Sequence, residues 1–253
     1  DIKRMYPAKS YGLILWSHAS GWLPAPSSRK TRVFGDDNGD YMEIADLAEL
    51  SGKYDFIIFD ACKMMGVETA YELRHNADYI VGSVTEVLAG GFPYHEIQEY
   101  LFEENADLVS VSRKFMALYR SYFDIEMQTA ALSIVKTDRM EEVASVSRNL
   151  IRKYRNNIAG IDVSQIQKYD SDEVTLFFDF LDFMENIAEN DPELQSLRSR
   201  LESAVVFEDH TPSILNMFEI MRSCGLSSYI PGQNGGLDYM YGNTSWYKAV
   251  YGY

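Results

Sequence analysis

Residues 54–65 read YDFIIFDACKMM. The apolar run that opens this stretch is typical of a strand in a sheet covered on both faces. The run stops at a turn of small residues, and that turn contains Cys62. Upstream, residues 11–22 (YGLILWSHASGW) follow the same plan, with His18 in the turn. The two stretches predict two buried strands, each ending at a residue capable of acid–base or nucleophilic chemistry.

Helical and strand patterns alternate along the rest of the chain. Residues 78–86 and 129–137 have the composition of strands, and apolar residues recur at helical spacing between them. This alternation is typical of an α/β domain whose mostly parallel sheet is flanked by helices. Residues 1–135 are predicted to form the core, and residues 136–253 a C-terminal α/β elaboration, rich in helices, packed on it. Because no Gly/Ser linker separates them, one continuous domain is expected.

Composition excludes several classes of protein. The chain has 253 residues, of which 46% are hydrophobic, so it can bury a sizeable core. Its apolar runs are too short to span a bilayer. A formal charge of −15 repels nucleic acid and anionic membranes; it either favours cationic partners or serves solubility alone. Two cysteines and four scattered histidines give neither a disulfide framework nor metal-ligand spacing, so no metal site is predicted.

The carboxyl ends of parallel strands are where active sites gather, and both turns are predicted to lie there. A cysteine nucleophile needs a neighbouring base and backbone N–H groups directed at the developing oxyanion. His18 can supply the base, and a helix starting after Cys62 would favour the thiolate. The alternative is structural: a single Cys after a strand is often a small buried hydrophobe, and a single His is often an ordinary core or surface residue.

Taken together, these motifs resemble the clostripain family of cysteine peptidases, which have a caspase-like fold. The resemblance is carried by LILWSHASGW (13–22), FGDDNGDYMEIADLAEL (34–50), YDFIIFDACKMMGVETAYELR (54–74), VGSVTEVLAGGFPYHEI (81–97), GLSSYIP (225–231) and SWYKAVY (245–251). It touches most of the chain, but its specific part is the first hundred residues.

The resemblance implies a cysteine endopeptidase that cleaves polypeptides after Arg or Lys. Cys62 would be the nucleophile, and His18 the general base and acid of a dyad. The N–H groups of Ala19 and Cys62 would form the oxyanion hole. Asp60 would bind the basic side chain in the S1 pocket. The alternative is that Asp60 is a structural carboxylate that accepts hydrogen bonds from backbone N–H groups. Glu86 is a second wall of that pocket or a solvated loop carboxylate.

Two further features follow from the same comparison. Gly90 and Gly91 would let a loop approach the substrate backbone closely. Arg29, Lys30 and Arg32 lie in a polar loop of the kind that proteases cut, so they are candidates for self-processing of a zymogen. The alternative is an ordinary basic loop.

The sequence departs from the family in two places. Ala19 stands where relatives usually have Gly, which matters if that position requires a positive φ. Relatives also carry a strand and helix before the histidine strand, and that strand lies centrally in the sheet. Either that upstream piece is a separate, processed chain or the sequence is a fragment. Because an uncovered apolar edge promotes aggregation, we expect association with an upstream chain from the same precursor.

The sequence and the resemblance also bear on calcium binding, on cellular location and on competing functions. The chemistry requires no cofactor, and calcium dependence is implied only by the resemblance. Asp36, Asn38 and Asp40 imitate a calcium loop, but Asp40 with Glu43 is better interpreted as a capping box opening a helix over residues 41–50. The family implies a location outside the bacterial cytoplasm, secreted or in the cell envelope. The competing functions are a catalytically silent caspase-like binding module and, more weakly, a thiol redox enzyme.

Overall fold

The computed structural model describes residues 2–23, 34–37, 40–49, 52–172 and 174–252. Its strands are β1 (Gly12–Trp16), β2 (Phe34–Asp37), β3 (Asp40–Met42), β4 (Tyr54–Asp60), β5 (Ala77–Gly82), β6 (Ala131–Lys136), β7 (Phe178–Asp179), β8 (Val205–His210), β9 (Ser213–Ile214), β10 (Phe218–Glu219) and β11 (Ser227–Ser228).

The α-helices are α1 (Ile2–Met5), α2 (Ile44–Ala48), α3 (Val67–Glu72), α4 (Tyr94–Leu101), α5 (Leu108–Arg120), α6 (Met140–Ile158), α7 (Phe180–Ala188), α8 (Glu193–Ala204), α9 (Gly235–Tyr241) and α10 (Ser245–Val250). Short 3₁₀ turns cover Ile125–Met127, Thr137–Arg139 and Val163–Gln165.

A five-stranded sheet in the order β1-β4-β5-β6-β8 forms the centre of the fold. Strands β1, β4 and β5 pair in parallel, and β6 pairs antiparallel with both β5 and β8. Four of the five strands therefore run in one direction. The predicted α/β class with a mostly parallel sheet flanked by helices is confirmed.

Each face of the sheet is covered by its own apolar layer. Alternate residues of a strand point to opposite faces, so Ile57 and Phe59 of β4 join one layer while Phe56 and Ile58 join the other. Helices α4 and α5 complete the second layer, whereas α3, α6, α7, α8 and α10 pack in the first. This double cover explains why β4 is an almost continuous apolar run.

The C-terminal half shares the core of the N-terminal half. Strand β8 extends the central sheet, and the larger apolar layer runs from Ala19 to Val250. The predicted boundary between residues 135 and 136 lies inside β6, which pairs with strands on both sides.

Strand β1 differs from the sequence prediction. Burial on both faces is correct for β4 but wrong for β1, where Ile14 is 37% and Trp16 71% exposed. The reason is position: β1 lies at the edge of the sheet and, among the described residues, pairs only with β4.

The start of α2 also corrects a prediction. The helix begins at Ile44 rather than at residue 41, and Asp40 belongs to β3. Glu43 is the N-cap: its side chain accepts from the backbone of Asp46, and the Glu43 N–H donates to Asp46 Oδ2 at 2.8 Å. The capping box therefore exists three residues later than predicted, because residues 40–42 pair with β2.

Candidate active site

The pairing of β1 with β4 brings the two predicted catalytic turns together. Trp16 lies opposite Asp60 in the parallel register. His18 lies two residues after Trp16, and Cys62 two residues after Asp60. The backbone bond from Ser17 N to Asp60 O, at 3.4 Å, continues the pairing past the strand ends. The His18 side chain is exposed and that of Cys62 is half-buried. Both residues therefore lie at the carboxyl edge of the sheet, as the sequence predicts.

The turn that holds Cys62 is a strained one. Lys63, the next residue, has a φ of 57°, in the left-handed region that few residues other than glycine adopt. Its N–H donates to the carbonyl of Thr85 at 2.9 Å, which ties the turn to the end of β5. Strain of this kind persists where the surrounding structure imposes it, and it is common at active sites.

The Cys62 thiol is engaged by the loop that follows β5. The N–H of Val87 lies 3.3 Å from Sγ, and the thiol donates back to the Val87 carbonyl at 3.7 Å. Burial, together with the charge and hydrogen bonding of Glu86, raises the pKa of Cys62 to about 12; Val87 N–H and Lys63 lower it only in part. The structure thus holds a neutral thiol.

The expected support from a helix dipole is absent at Cys62. The prediction that a helix starts directly after the cysteine is wrong, because α3 begins at Val67. The four intervening residues form the strained turn and hydrogen bonds to the segment after β5 and to β11, for example from Met65 N to Ser83 O at 2.9 Å. A dipole effect falls off within the first turn of a helix, so α3 contributes little to the thiolate.

Asp60 is a buried carboxylate with one satisfied and one unsatisfied oxygen. The residue is 3% exposed. Its Oδ2 accepts from Tyr94 Oη at 2.7 Å and from Phe92 N at 3.2 Å, whereas Oδ1 has no hydrogen-bond partner among the described residues. Burial raises the pKa of Asp60, and the two bonds lower it in part. An unsatisfied buried carboxylate oxygen is costly, and a cation would relieve that cost.

Gly91 makes the position of Asp60 possible. Its φ is +57°, and a Cβ atom there would lie 2.5 Å from Asp60 Oδ2. The Gly91 carbonyl accepts from Tyr119 Oη at 3.1 Å, which fixes the loop. The sequence interpretation assigned this glycine to a close approach of the substrate backbone. In the structure its immediate neighbour is the Asp60 carboxylate.

Glu86 is paired with a cation of the chain itself. Its Oε1 lies 3.0 Å from Lys63 Nζ, and the same ammonium lies 3.2 Å from Asp172 Oδ2. Lys63 is largely buried, and Asp170 also acts on it electrostatically. Glu86 therefore faces both the thiol and a lysine, so its charge is partly neutralised.

The turn after His18 has an ordinary backbone at Ala19. Ala19 is absent from the positive-φ residues of the described chain, so its methyl group causes no backbone strain. Gly21 has the left-handed conformation instead, with a φ of +62°. A Cβ at Gly21 would lie 2.6 Å from the carbonyl of Lys63, so the two turns pack against each other. Neither Ala19 N–H nor Cys62 N–H donates to another described residue.

Other predicted features fall outside the site or outside the described residues. Arg29, Lys30 and Arg32 lie in the part of the chain that the structure does not describe, as does Asn38. The thiol of Cys224 donates to the Leu226 carbonyl at 3.3 Å, away from the strand ends.

Three contacts of the site could not be read from sequence. Tyr94 reaches Asp60 across 34 positions, and Val87 reaches Cys62 across 25. Lys63 binds Glu86 although neither spacing nor composition pairs them. The only sequence indication is the run GGFPYHEI, whose glycines and proline mark a loop entering a helix.

The described residues contain neither a metal-binding cluster nor a membrane-spanning helix. Among the described residues, no group of three or more His, Cys, Asp and Glu side chains could hold a metal ion. No helix in the same part of the chain combines the length and apolar character needed to cross a membrane.

Comparison with known proteins gives consistent findings. A family model described as the clostripain family matches residues 1–245. An inactive zymogen C11 protease from Parabacteroides distasonis is 32% identical, with a TM-score of 0.84 over 98% of this chain and 72% of that one. A secreted C11 cysteine protease from Bacteroides thetaiotaomicron, solved with an irreversible peptide inhibitor, is 28% identical, with a TM-score of 0.81 over 98% and 74%.

A further structure supports the fold alone. Another secreted C11 cysteine protease from Bacteroides thetaiotaomicron is 24% identical, with a TM-score of 0.87 over 98% of this chain and 74% of that one. No curated protein matches the chain.

Proposed function

The chain belongs to the clostripain family and is a cysteine peptidase, and we propose that it is an endopeptidase cleaving after Arg or Lys through a His18/Cys62 dyad. The observation that carries the specificity is Asp60 Oδ1, a buried carboxylate oxygen with no partner among the described residues. It lies two residues before the nucleophile, at the strand end where a substrate side chain would enter. A guanidinium or ammonium group of the substrate would satisfy it.

The proposed reaction uses few groups. His18 takes the thiol proton of Cys62, and the thiolate attacks the scissile carbonyl carbon. The N–H groups of Ala19 and Cys62 stabilise the oxyanion. The C–N bond then breaks, and His18 returns the proton to the leaving amine. Water, deprotonated by His18, hydrolyses the thioester and regenerates the thiol.

The conformation described here is the resting state of this proposal. A thiol pKa of about 12 leaves almost no thiolate near neutral pH. Activation requires Glu86 to move away from Sγ, since its charge and hydrogen bonding raise the pKa of the thiol, whereas the Val87 N–H lowers that pKa. This arrangement is consistent with a zymogen, and the similar Parabacteroides protein is itself described as an inactive zymogen.

In the active state of this proposal, Glu86 helps to bind the basic side chain as a second carboxylate of the S1 pocket. For that role it must release Lys63, whose Nζ lies 3.0 Å from it. A substrate cation would replace Lys63 as the partner of Glu86. In the same step the negative charge of Glu86 would move away from the thiol.

The outer edge of β1 supports association with a further polypeptide segment. In the described part of the chain β1 pairs with β4 alone, and its last residue, Trp16, is 71% exposed. An upstream segment of the precursor could add a strand there, supply the missing backbone partners and cover Trp16. We also propose that self-processing occurs at Arg29, Lys30 or Arg32. The similar Bacteroides proteins are described as secreted, and we propose the same location for this chain.

The proposal is tested with matched fluorogenic peptides ending in Arg, Lys, Asp or Leu, using precursor enzyme with its upstream segment present. Hydrolysis after Arg and Lys is expected to vanish in Cys62→Ala and to weaken in Asp60→Ala. Cys224→Ala is the control for loss of a thiol and should keep full activity. Hydrolysis that survives Cys62→Ala, or that favours Asp or Leu, contradicts the proposal.

A further inference from the structure

A cavity is lined by the turn after His18, by α2 and α3, and by the C-terminal helices. It has a volume of about 370 Å³, which is within the range of ligand pockets. Its wall includes Trp22 from the turn after His18, Glu68 from α3 after Cys62, and residues of the C-terminal helices. The chemistry of the proposed active site uses none of these side chains.

Glu68 is a buried carboxylate that the protein satisfies on one side only. The residue is 2% exposed. Its Oε1 accepts from Tyr229 N at 3.0 Å and from Tyr241 Oη at 2.9 Å, whereas Oε2 has no partner among the described residues. Burial raises the pKa of Glu68 to about 7, because these bonds offset only part of the desolvation. Such a carboxylate is stabilised by any cation that reaches Oε2.

Trp22 supplies a second unsatisfied group on the same cavity wall. It is 8% exposed, and its Nε1 has no hydrogen-bond partner among the described residues. The indole packs against Tyr229 and Tyr241, with ring centroids 5.1 and 4.8 Å apart. Those are the two residues that bind the other oxygen of Glu68, so Trp22 and Glu68 belong to one rigid cluster.

The charge around the cavity favours a cation. Three carboxylates line it, from Glu43, Glu68 and Glu72, against one ammonium, from Lys248. A metal ion is disfavoured, because the described residues contain no group of three metal-binding side chains. Water alone would hydrogen-bond to Glu68 without neutralising it. Indole rings also attract organic cations.

We propose that this cavity is a binding site for an organic cation, a guanidinium or primary ammonium group, held by Glu68 Oε2 beside Trp22. The same chemistry is presented by a free small amine and by an Arg or Lys side chain of a peptide. Trp22 lies four residues after His18, and Glu68 six residues after Cys62. An occupant would therefore join the two turns of the proposed dyad.

The test measures binding of n-butylguanidinium by calorimetry to Cys62→Ala/Asp60→Asn, which cannot turn over and lacks Asp60, the buried carboxylate of the proposed S1 pocket. We expect binding at one site, with n-butylurea, the neutral isostere, at least tenfold weaker. Adding Glu68→Gln should weaken guanidinium binding at least tenfold. Glu202→Gln, in a different cavity, is the matched control and should change nothing. A glycyl-arginyl-glycine peptide distinguishes the sources: it binds only if the cavity accepts a side chain.

Folding and the proposed function are controlled separately. Circular dichroism reports whether Glu68→Gln folds, and Trp22→Phe, which removes only the unsatisfied N–H and one ring, is expected to weaken binding on its own. In Cys62→Ala with Asp60 intact, two sites are expected. Binding that requires Asp60 refutes the second site and leaves the proposed function standing. Binding that is unchanged by Asp60→Asn but lost in Glu68→Gln supports the second site and counts against Asp60 as the S1 carboxylate. Guanidinium binding unchanged by Glu68→Gln, or no binding to the double variant, overturns the inference.

Discussion

Gly91→Ala probes the packing that positions Asp60. The new methyl group would lie 2.5 Å from Asp60 Oδ2 and 2.9 Å from Oδ1, at a residue whose φ is +57°. An alanine in the left-handed region costs about 1–2 kcal/mol. The buried carboxylate must also move, and losing one of its bonds from Phe92 N–H or Tyr94 Oη costs roughly 1.5–3 kcal/mol.

Together these terms predict a destabilisation of about 2.5–5 kcal/mol, or roughly 5–20 °C in Tm for a chain of this size. Thermal unfolding followed by circular dichroism measures it. Because Asp60 is displaced, hydrolysis after Arg should fall as well, by about 10–100-fold in kcat/KM if one charge-assisted bond to the substrate is lost.

Substitutions at two other glycines separate the cost of backbone strain from the cost of displacing Asp60. Gly232 has a φ of +99° and nothing within 4 Å of a Cβ, so Gly232→Ala reports backbone strain alone. Gly90 has no positive φ, and its nearest neighbour is Tyr122 Oη at 3.4 Å, so Gly90→Ala should be nearly neutral. The reasoning is refuted if Gly91→Ala is no less stable than Gly232→Ala and cleaves Arg peptides at the wild-type rate.

Three further predictions concern single side chains. Asp60→Asn should lower kcat/KM for Arg peptides by about 10–100-fold, equivalent to about 1.5–3 kcal/mol, with little change in Tm; a Tm loss that accounts for the fall in rate would contradict this. Glu86→Gln should lower the pKa of Cys62 and speed its alkylation by iodoacetamide at pH 8, measured by peptide mass spectrometry with Cys224 as reference; an unchanged rate argues against control by Glu86. Glu68 has a folded-state pKa of about 7, above its ordinary value of 4.5, so its protonation stabilises the fold below pH 4.5 and this contribution is lost as pH rises through 7. As the pH rises from 5 to 8, the free energy of unfolding of Glu68→Gln should therefore increase relative to that of the wild type by up to about 3 kcal/mol. If the Tm values of the two proteins change with pH in parallel, the prediction is wrong.

The sequence predicts the sheet and the two turns of the proposed dyad because those features are local. An apolar run ending at small residues reports a buried strand and its end, and β4 with Cys62 follows that rule. Burial of β1 was overestimated, because an apolar run does not indicate whether a neighbour lies on one side or two. The cap of α2 was misplaced for a similar reason: pairing of residues 40–42 with β2 outweighs the capping preference of Asp40.

The environment of the candidate site depends on contacts between distant residues. Tyr94 on Asp60, Val87 on Cys62 and Lys63 on Glu86 each join elements that only the folded chain brings together. The raised thiol pKa follows from those contacts, since burial and Glu86 together oppose the thiolate. A sequence can indicate that a cysteine is suitable as a nucleophile, but its protonation state is a property of the tertiary structure.

The most direct test of the central claim compares a peptide ending in Arg with the same peptide ending in citrulline, its neutral isostere. We predict that activated wild-type enzyme strongly prefers Arg in kcat/KM and that Asp60→Asn brings the two rates close together. Equal rates for Arg and citrulline in the wild type, or a preference for Arg that survives Asp60→Asn, would contradict the assignment of Asp60 as the carboxylate that selects basic residues.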